Sequence, residues 1–167
     1  LAPLANNIYN NWQLNPEHEA KAFINKEHGF INEKSALEGA HYILVERFAE
    51  DANLIQKLRR HLLKQAHLCS KVVKAKAGEA AKYRDYFEHS ELLKNVPSHR
   101  MLAMLRGRNE GLLSLRIDVD PGQDSDFYSA QQLIIEHFNL RLTGQAAAEF
   151  LMKVVNTTWK MKLSQSL

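Results

Sequence analysis

The sequence has little of several residue types, and each shortage excludes a class of protein. Cys69 is the one cysteine among 167 residues, so neither an internal disulfide nor a multi-cysteine zinc site can form. Glycine (7 residues) and proline (4 residues) are scarce, which disfavours a turn-rich all-β fold. Apolar runs such as residues 42–45 fall far short of the about 20 residues that a membrane-spanning helix needs.

The chain also lacks a leader with a basic flank and an apolar core, and it begins at Leu1. We therefore expect a cytoplasmic protein, present here as a piece of a longer chain. Hydrophobic residues make up 45% and charged residues 25% of the sequence, which is typical of a globular protein and argues against disorder. The length suits one compact domain or two small helical lobes.

Most of the apolar residues recur at helical spacing. Leu37, Ala40 and Leu44 give the clearest example and predict a helix over residues 35–50. Asn15 followed by Pro16 predicts a helix start, because asparagine caps helices and proline suits their first turn. Asp51 either caps a second helix or lies within one continuous helix, and the sequence leaves both readings open.

One segment has the alternation of a β-strand rather than helical spacing. Apolar and polar residues alternate over 113–119, which predicts a strand with one buried side. Its partner is either the weakly alternating segment 68–73 or something outside this chain, because a lone strand leaves backbone groups unpaired. We predict a mainly α fold, a multi-helix, bundle-like array with one short β segment at about 112–119.

Charge is distributed unevenly along the sequence. Residues 52–116 hold 14 Lys or Arg against 5 Asp or Glu, a net +9, whereas residues 1–51 carry −4 and residues 117–167 carry −2. Such a block is typical of a surface that meets phosphate groups or an acidic partner; the alternative is a helix face covered with solvated lysines. We therefore divide the chain into 1–111, helical with a basic central block, and 112–167, a short strand plus two helices leading toward an absent C-terminal part.

Three motifs in the second half of the chain resemble a known family. They read KYRDYF over residues 82–87, VPSHR over 96–100 and RGRNEGLLSL over 106–115. Together they resemble the Tex family of bacterial transcription accessory proteins, and the similarity extends over essentially the whole chain. Tex proteins are several times longer, with an RNase H-like domain, helix-hairpin-helix modules and an OB-type RNA-binding domain. The resemblance implies that this chain is the helical segment preceding the RNase H-like domain.

The residues that we expect to contact nucleic acid are cations of the basic block. On a helix over 52–67, three of them lie at steps of three and four residues, away from the apolar side, and can meet successive phosphates. The alternative is a solvated face or ion pairs within the whole protein. The candidate residues are Lys57, Arg60, Lys64, Lys71, Lys74, Lys76, Arg106 and Arg108.

Other residues in and near the motifs have competing readings. Arg100, Arg106 and Arg108 suit phosphate contact, with Gly107 allowing close approach, but arginine fixes carboxylates between packed elements equally well. Tyr83 and Phe87 share a helical face with Ala80, so core packing is the better reading for them than base stacking.

The sequence predicts no catalytic residue, no metal site and no cofactor. His61, His67 and Cys69 have no usual ligand spacing, and the acidic residues of 118–126 match a calcium loop only loosely. We therefore expect a non-enzymatic scaffold. Its partners would be RNA or DNA through the full-length protein, or the transcription machinery, with no membrane and no small-molecule substrate; the alternative is a purely structural or protein-interaction module.

Overall fold

The computed structural model describes residues 1–25, 29–119 and 129–164. Helices dominate these ranges and one small sheet accompanies them, which confirms the mainly α class with a short β part. The helices are α1 (Ala2–Asn10), α2 (Pro16–Ala20), α3 (Glu33–Ala49), α4 (Ala52–Gln65), α5 (Ser98–Asn109), α6 (Ser129–His137) and α7 (Ala148–Thr157), which continues as a π-helical segment (Thr158–Leu163). The strands are β1 (His67–Val72), β2 (Glu88–Leu92) and β3 (Leu113–Asp118).

The chain forms two compact units. The first unit comprises Leu1–Leu58 and Ala130–Leu167, and the second comprises Arg59–Ser129. The division of the chain at residue 111 that we expected from the sequence stays a prediction.

The first unit is built around α3. This helix packs against α1, α2 and α7, and its buried side chains include Leu44, Val45 and Phe48. The Phe48 ring stacks on Phe138, with the ring centroids 4.0 Å apart. Each fully buried leucine stabilises the fold by about 2 kcal/mol through removal of apolar surface from water, so this core anchors the unit.

Side-chain caps set where three helices of this unit begin. Asn15 accepts hydrogen bonds from the backbone N–H groups of α2, as its position before Pro16 predicted. Asn32 and Ser35 form a reciprocal capping box at the start of α3. Asp51 Oδ1 accepts a hydrogen bond of 2.9 Å from the backbone N–H of Leu54. Asp51 therefore separates α3 from α4, which decides the question that the sequence left open.

The second unit contains a three-stranded antiparallel sheet in the order β2-β1-β3. Its central strand, β1, contains most of the segment 68–73, which was one of the two partners that we considered for the strand at 113–119. Cys69 lies opposite Ser90 on one side and Arg116 on the other. The predicted strand is thus confirmed, with its partner found within the chain.

The β part is larger than the single segment that we expected, because β2 was missed. The sequence placed Ala80, Tyr83 and Phe87 on one face of a helix; the structure instead has a 3-10 segment at Ala81–Tyr86, followed by β2. The reason is physical: Glu88–Leu92 reads EHSEL and has no apolar alternation, so backbone pairing with β1 decides its conformation.

Helix α5 covers one side of this sheet. A Cβ atom on Gly107 would lie 2.5 Å from Leu113 Cδ1, so this glycine allows the helix to approach β3 closely. Ser70, on the same side of the sheet, is buried and donates a hydrogen bond of 2.8 Å to the Tyr86 carbonyl. A small core of Ala80, Tyr83, Leu112 and Leu113 completes the packing.

Candidate nucleic-acid interface

All eight predicted contact residues are exposed. None of them forms an ion pair with another residue of the described ranges. Their positive charge is therefore not neutralised by direct carboxylate contact, although they lie in several separate places. Three are on α4, one is on β1, two are on a 3-10 turn (Lys74–Lys76) and two are in the last turn of α5.

The three cations of α4 form a stripe along the helix. Residues three and seven positions apart point within about 60° of one another, so Lys57, Arg60 and Lys64 project from one side of α4. Leu54 and Leu58 are buried on another side. The predicted arrangement of these three residues on a helix is thus present.

Lys57, however, is engaged within the first unit. Its ammonium group donates a hydrogen bond of 2.9 Å to His137 Nδ1. His137 Nε2 in turn donates to Asp51 Oδ1 at 3.2 Å. Because an ammonium group has only donors, Nδ1 must be the acceptor, and His137 is the neutral tautomer with its proton on Nε2. Lys57 is therefore less available for phosphate than Arg60 and Lys64.

Asp51 organises this chain of hydrogen bonds. The backbone N–H of Leu54 and, to a lesser extent, His137 lower the pKa of the Asp51 carboxyl below its ordinary value. The ionised carboxylate both caps α4 and holds His137, which holds Lys57. The arrangement links the helix start to the orientation of the first cation of the stripe.

Lys71 lies on the polar side of the sheet. Side chains alternate along a strand, so Lys71 and Cys69 point away from the side that α5 covers. Glu88 and Ser114 flank Lys71 on the neighbouring strands, and Arg116 lies beside Cys69. Lys71 and Arg116 are both exposed here, with Arg116 paired to Asp118 and Cys69 buried, so Lys71 is the cation on this side that is accessible to a polar ligand.

Arg106 and Arg108 do not act together. Residues two positions apart on an α-helix point about 200° away from each other, so the two guanidinium groups cannot grip one phosphate. Gly107 between them is buried against Leu113. The glycine serves helix–sheet packing, and the reading in which it admits a phosphate is wrong.

Arg100 has the structural role that we considered for the arginines. Its Nη1 donates a hydrogen bond of 2.9 Å to Glu91 Oε2, and His89 Nε2 lies 3.0 Å from Glu91 Oε1. The hydrogen bond from His89, together with the charge of Arg100, holds the pKa of Glu91 below its ordinary value. This cluster ties α5 to β2.

The turn after α5 brings together cations from distant parts of the sequence. The Lys76 ammonium lies 3.6 Å from the place where a Cβ of Gly111 would stand. Lys82 Nζ lies 3.1 Å from the carboxylate of the adjacent Glu110, and Arg106 is close enough to influence the same carboxylate. We missed Lys82 as a candidate because it meets Lys76 and Arg106 only after the chain has folded. The motif over residues 82–87 that contains Lys82 indicated the family but not a contact role for this residue.

The aromatic residues divide as the sequence indicated. Tyr83 is 4% exposed and belongs to the small core, and Phe87 packs against that core, which confirms packing as their role. Tyr86 is half-buried against the same cluster, with its ring edge-on to His89. Base stacking by these rings finds no support in this arrangement.

The described ranges contain no cluster of three or more potential metal ligands. No helix in these ranges has the length and apolar character needed to span a bilayer. The loosely calcium-like acidic segment lies mostly in 120–128, outside the described residues.

Comparison with known proteins assigns this chain to a family. A family described as Tex central region-like matches residues 11–167. The chain belongs to the Tex family. Protein YhgF of Escherichia coli (strain K12) is 46% identical over 169 residues, which cover 100% of this chain and 22% of that protein. The transcriptional accessory protein Tex of Neisseria gonorrhoeae is 36% identical, again over 100% of this chain and 22% of its own length.

Protein tex of Bordetella pertussis is 35% identical over 98% of this chain and 21% of its own length. The chain thus spans about a fifth of the length of these relatives. The family match includes residues of both compact units and every candidate cation.

Proposed function

We propose that this segment is a non-enzymatic scaffold within a Tex-family protein. We propose also that the second unit of the segment contacts the sugar-phosphate backbone of a nucleic acid. The observation that supports the proposal is the set of exposed cations in that unit that lack ion pairs with described residues, with Arg60, Lys64 and Lys71 the clearest. Phosphate contacts of this kind give affinity without sequence preference.

The balance of charge agrees with this proposal. By sequence, the second unit (Arg59–Ser129) holds 13 Lys or Arg against 9 Asp or Glu, a net +4. Within the described ranges, the ion pairs of Lys82, Arg100 and Arg116 engage only a minority of these cations. An unneutralised excess of this size attracts a polyanion over several ångströms of solvent.

The biological setting that we propose follows from the relatives. One of them bears the name transcriptional accessory protein Tex, so we infer that the parent protein assists transcription in the bacterial cytoplasm. In that setting the nucleic acid would be RNA or DNA near the transcription machinery. The segment would add sequence-independent affinity and hold the rest of the protein in position.

Titration of the 167-residue chain with single-stranded RNA and with duplex DNA at several salt concentrations tests the proposal. We expect binding at low salt whose logarithm falls linearly with the logarithm of salt concentration, with a slope of about −0.7 per contacted phosphate for single strands. Changing Arg60 and Lys64 to glutamate should reduce both the affinity and the slope.

A matched control separates local contact from net charge. Lys21 and Lys34 are exposed cations of the first unit, and changing both to glutamate alters the net charge of the chain by the same amount. Binding that responds equally to both double variants, or no binding at low salt, would contradict the proposal.

A second candidate function is purely structural, with the basic surface docked on an acidic part of the parent chain or of another protein. The ion pairs Arg100–Glu91 and Lys82–Glu110 favour it, because they show that cations of this unit already bind carboxylates. Absence of RNA and DNA binding at low salt, with the fold intact, is the outcome that this candidate predicts.

A further inference from the structure

We propose that the turn at Gly111 is a phosphate subsite, in which Lys76, Lys82 and Arg106 hold one phosphodiester group of a nucleic-acid backbone. Glu110 pairs with Lys82 while the subsite is empty and gives way when phosphate binds. This inference rests on the proposed function and names one place where the contact is made.

Three separate segments supply the cations. Lys76 comes from the 3-10 turn after β1, Lys82 from the 3-10 segment Ala81–Tyr86, and Arg106 from the last turn of α5. All three side chains are exposed. Cations that are distant in sequence and meet at one turn form a pocket of positive charge, which a run of lysines along one helix does not.

The backbone of the turn is held rigidly. Gly111 has φ +74°, a left-handed conformation that glycine adopts without strain. The N–H of Gly111 donates to the Arg108 carbonyl at 3.0 Å, and the N–H of Leu112 donates to the Gly107 carbonyl at 2.9 Å. These hydrogen bonds therefore fix the backbone from which the Glu110 side chain projects.

Charge at the turn is unbalanced. Lys82 and Arg106 both act on the Glu110 carboxylate, and Lys76 lies at the neighbouring Gly111, so the three cations and one carboxylate carry a net charge of about +2 at neutral pH. The hydrogen bond from Lys82 lowers the pKa of Glu110, and the same bond raises the pKa of Lys82. The carboxylate is thus ionised and engaged, yet it neutralises only part of the charge around it.

The ion pair is easily exchanged. The Lys82 and Glu110 side chains are 62% and 36% exposed, and ion pairs with such exposure contribute little to stability. A phosphodiester carries one negative charge shared by two oxygens, as a carboxylate does, and it accepts hydrogen bonds from lysine and arginine together. Glu110 pairs with Lys82 alone among the three cations, so a phosphodiester bound at the turn would also satisfy Lys76 and Arg106.

A structural reading competes with this one. Cations near the end of α5 also interact favourably with its unpaired carbonyl groups. If that were their only role, removing the charge of Glu110 would change RNA affinity no more than removing the charge of an exposed carboxylate elsewhere in the chain. The two readings therefore differ in a binding measurement.

The test is titration of the whole 167-residue chain with a 12-nucleotide oligouridylate at several salt concentrations. Glu110→Gln should bind about two- to fivefold more tightly than the unaltered chain, because an exposed competing ion pair is lost. Glu46→Gln is the control: Glu46 is exposed in α3 of the first unit and loses the same charge. Equal gains in the two variants would overturn the subsite.

A second variant works in the opposite direction. Lys82→Gln should weaken binding and reduce the salt slope by about 0.7, the value for one phosphate contact on a single strand. Lys21→Gln, in the first unit, is its control. A slope that is unchanged in Lys82→Gln, or reduced equally in Lys21→Gln, would contradict the assignment.

Nuclear magnetic resonance with inorganic phosphate distinguishes failure of the subsite from failure of the proposed function. We expect the backbone amides of Glu110 and Gly111 to shift on addition of phosphate, and less so in Lys82→Gln. RNA binding without any effect of the Glu110 and Lys82 variants overturns the subsite alone. Absence of RNA binding overturns the proposed function, and if phosphate also leaves these amides unshifted, the subsite fails independently.

Discussion

The two compact units of this chain differ in what they bury and in what they expose. Of the largest fully buried side chains in the described ranges, all except Met104 belong to the first unit. By sequence, the first unit carries a net charge of −1, from 9 Lys or Arg against 10 Asp or Glu, whereas the second carries +4, from 13 against 9. A helical unit with a large apolar core thus accompanies a small sheet with a cationic surface.

This difference has a physical consequence. The first unit is stabilised mainly by burial of leucine, valine and phenylalanine side chains, so its surface charges contribute little to its fold. The second unit has a smaller core and depends more on strand pairing, on the close approach at Gly107 and on the Glu91 cluster. Apart from Lys82, Arg100 and Arg116, the Lys and Arg side chains of this unit form no ion pair with the described residues, which leaves them available for a ligand.

The largest expected effect is in the core of the first unit. Leu44→Ala removes a fully buried side chain from α3 and should lower the free energy of unfolding by about 3 kcal/mol, through lost burial and a residual cavity. Leu63→Ala is the control, because Leu63 is 70% exposed. Chemical denaturation measures both; comparable losses would break the contrast between core and surface.

The second unit should respond most strongly at the contact between α5 and β3. Gly107→Ala places a methyl group against Leu113, and we expect a loss of about 1–2 kcal/mol from overpacking, despite the higher helix propensity of alanine. In a Leu113→Ala background the same change should be neutral or stabilising, because the clash is gone. Thermal unfolding of the four proteins gives this comparison, and additive effects would rule the clash out.

The helix cap at Asp51 should have an intermediate effect. Asp51→Ala removes the acceptor for the Leu54 N–H and should cost about 1 kcal/mol. Asp51→Asn keeps an acceptor at the cap but loses the negative charge beside His137, so a smaller loss is expected in denaturant titrations. Equal losses would mean that the negative charge of Asp51, rather than its oxygen acceptor at the cap, accounts for the effect.

Glu91 makes the second unit sensitive to acid. Its pKa in the folded chain lies below the ordinary value of 4.5, so the stability that it contributes is present above that value and is lost as the pH falls through the folded pKa. Glu91→Gln should cost about 1 kcal/mol at neutral pH and should flatten the dependence of unfolding free energy on acidic pH. A parallel pH profile in the variant would contradict this account.

Local patterns allowed much of the fold to be predicted. The helix expected over 35–50 is observed as Glu33–Ala49, and the strand expected at 113–119 is observed as Leu113–Asp118. Both have strong periodicity and a buried side, so their conformation is encoded within a few neighbouring residues. Strand β2 escaped prediction because its residues lack alternation, and pairing with β1 decides its structure.

The candidate interface was predicted less completely, for a similar reason. The stripe on α4 depends on helical spacing alone and could be derived from Lys57, Arg60 and Lys64. The engagement of Lys57 by His137, 80 residues further along the chain, has no local signal. The convergence of Lys76, Lys82 and Arg106 likewise depends on the packing of separate segments.

The most direct test of the cationic surface is acetylation of lysines with acetic anhydride, with and without a 12-nucleotide RNA, read by mass spectrometry. The lysines compared are Lys64, Lys71, Lys74 and Lys76 of the second unit and Lys21 and Lys34 of the first. All six are exposed, so they should react alike without RNA. We predict protection by RNA confined to the second unit; equal protection in both units, or none in either, would contradict the account.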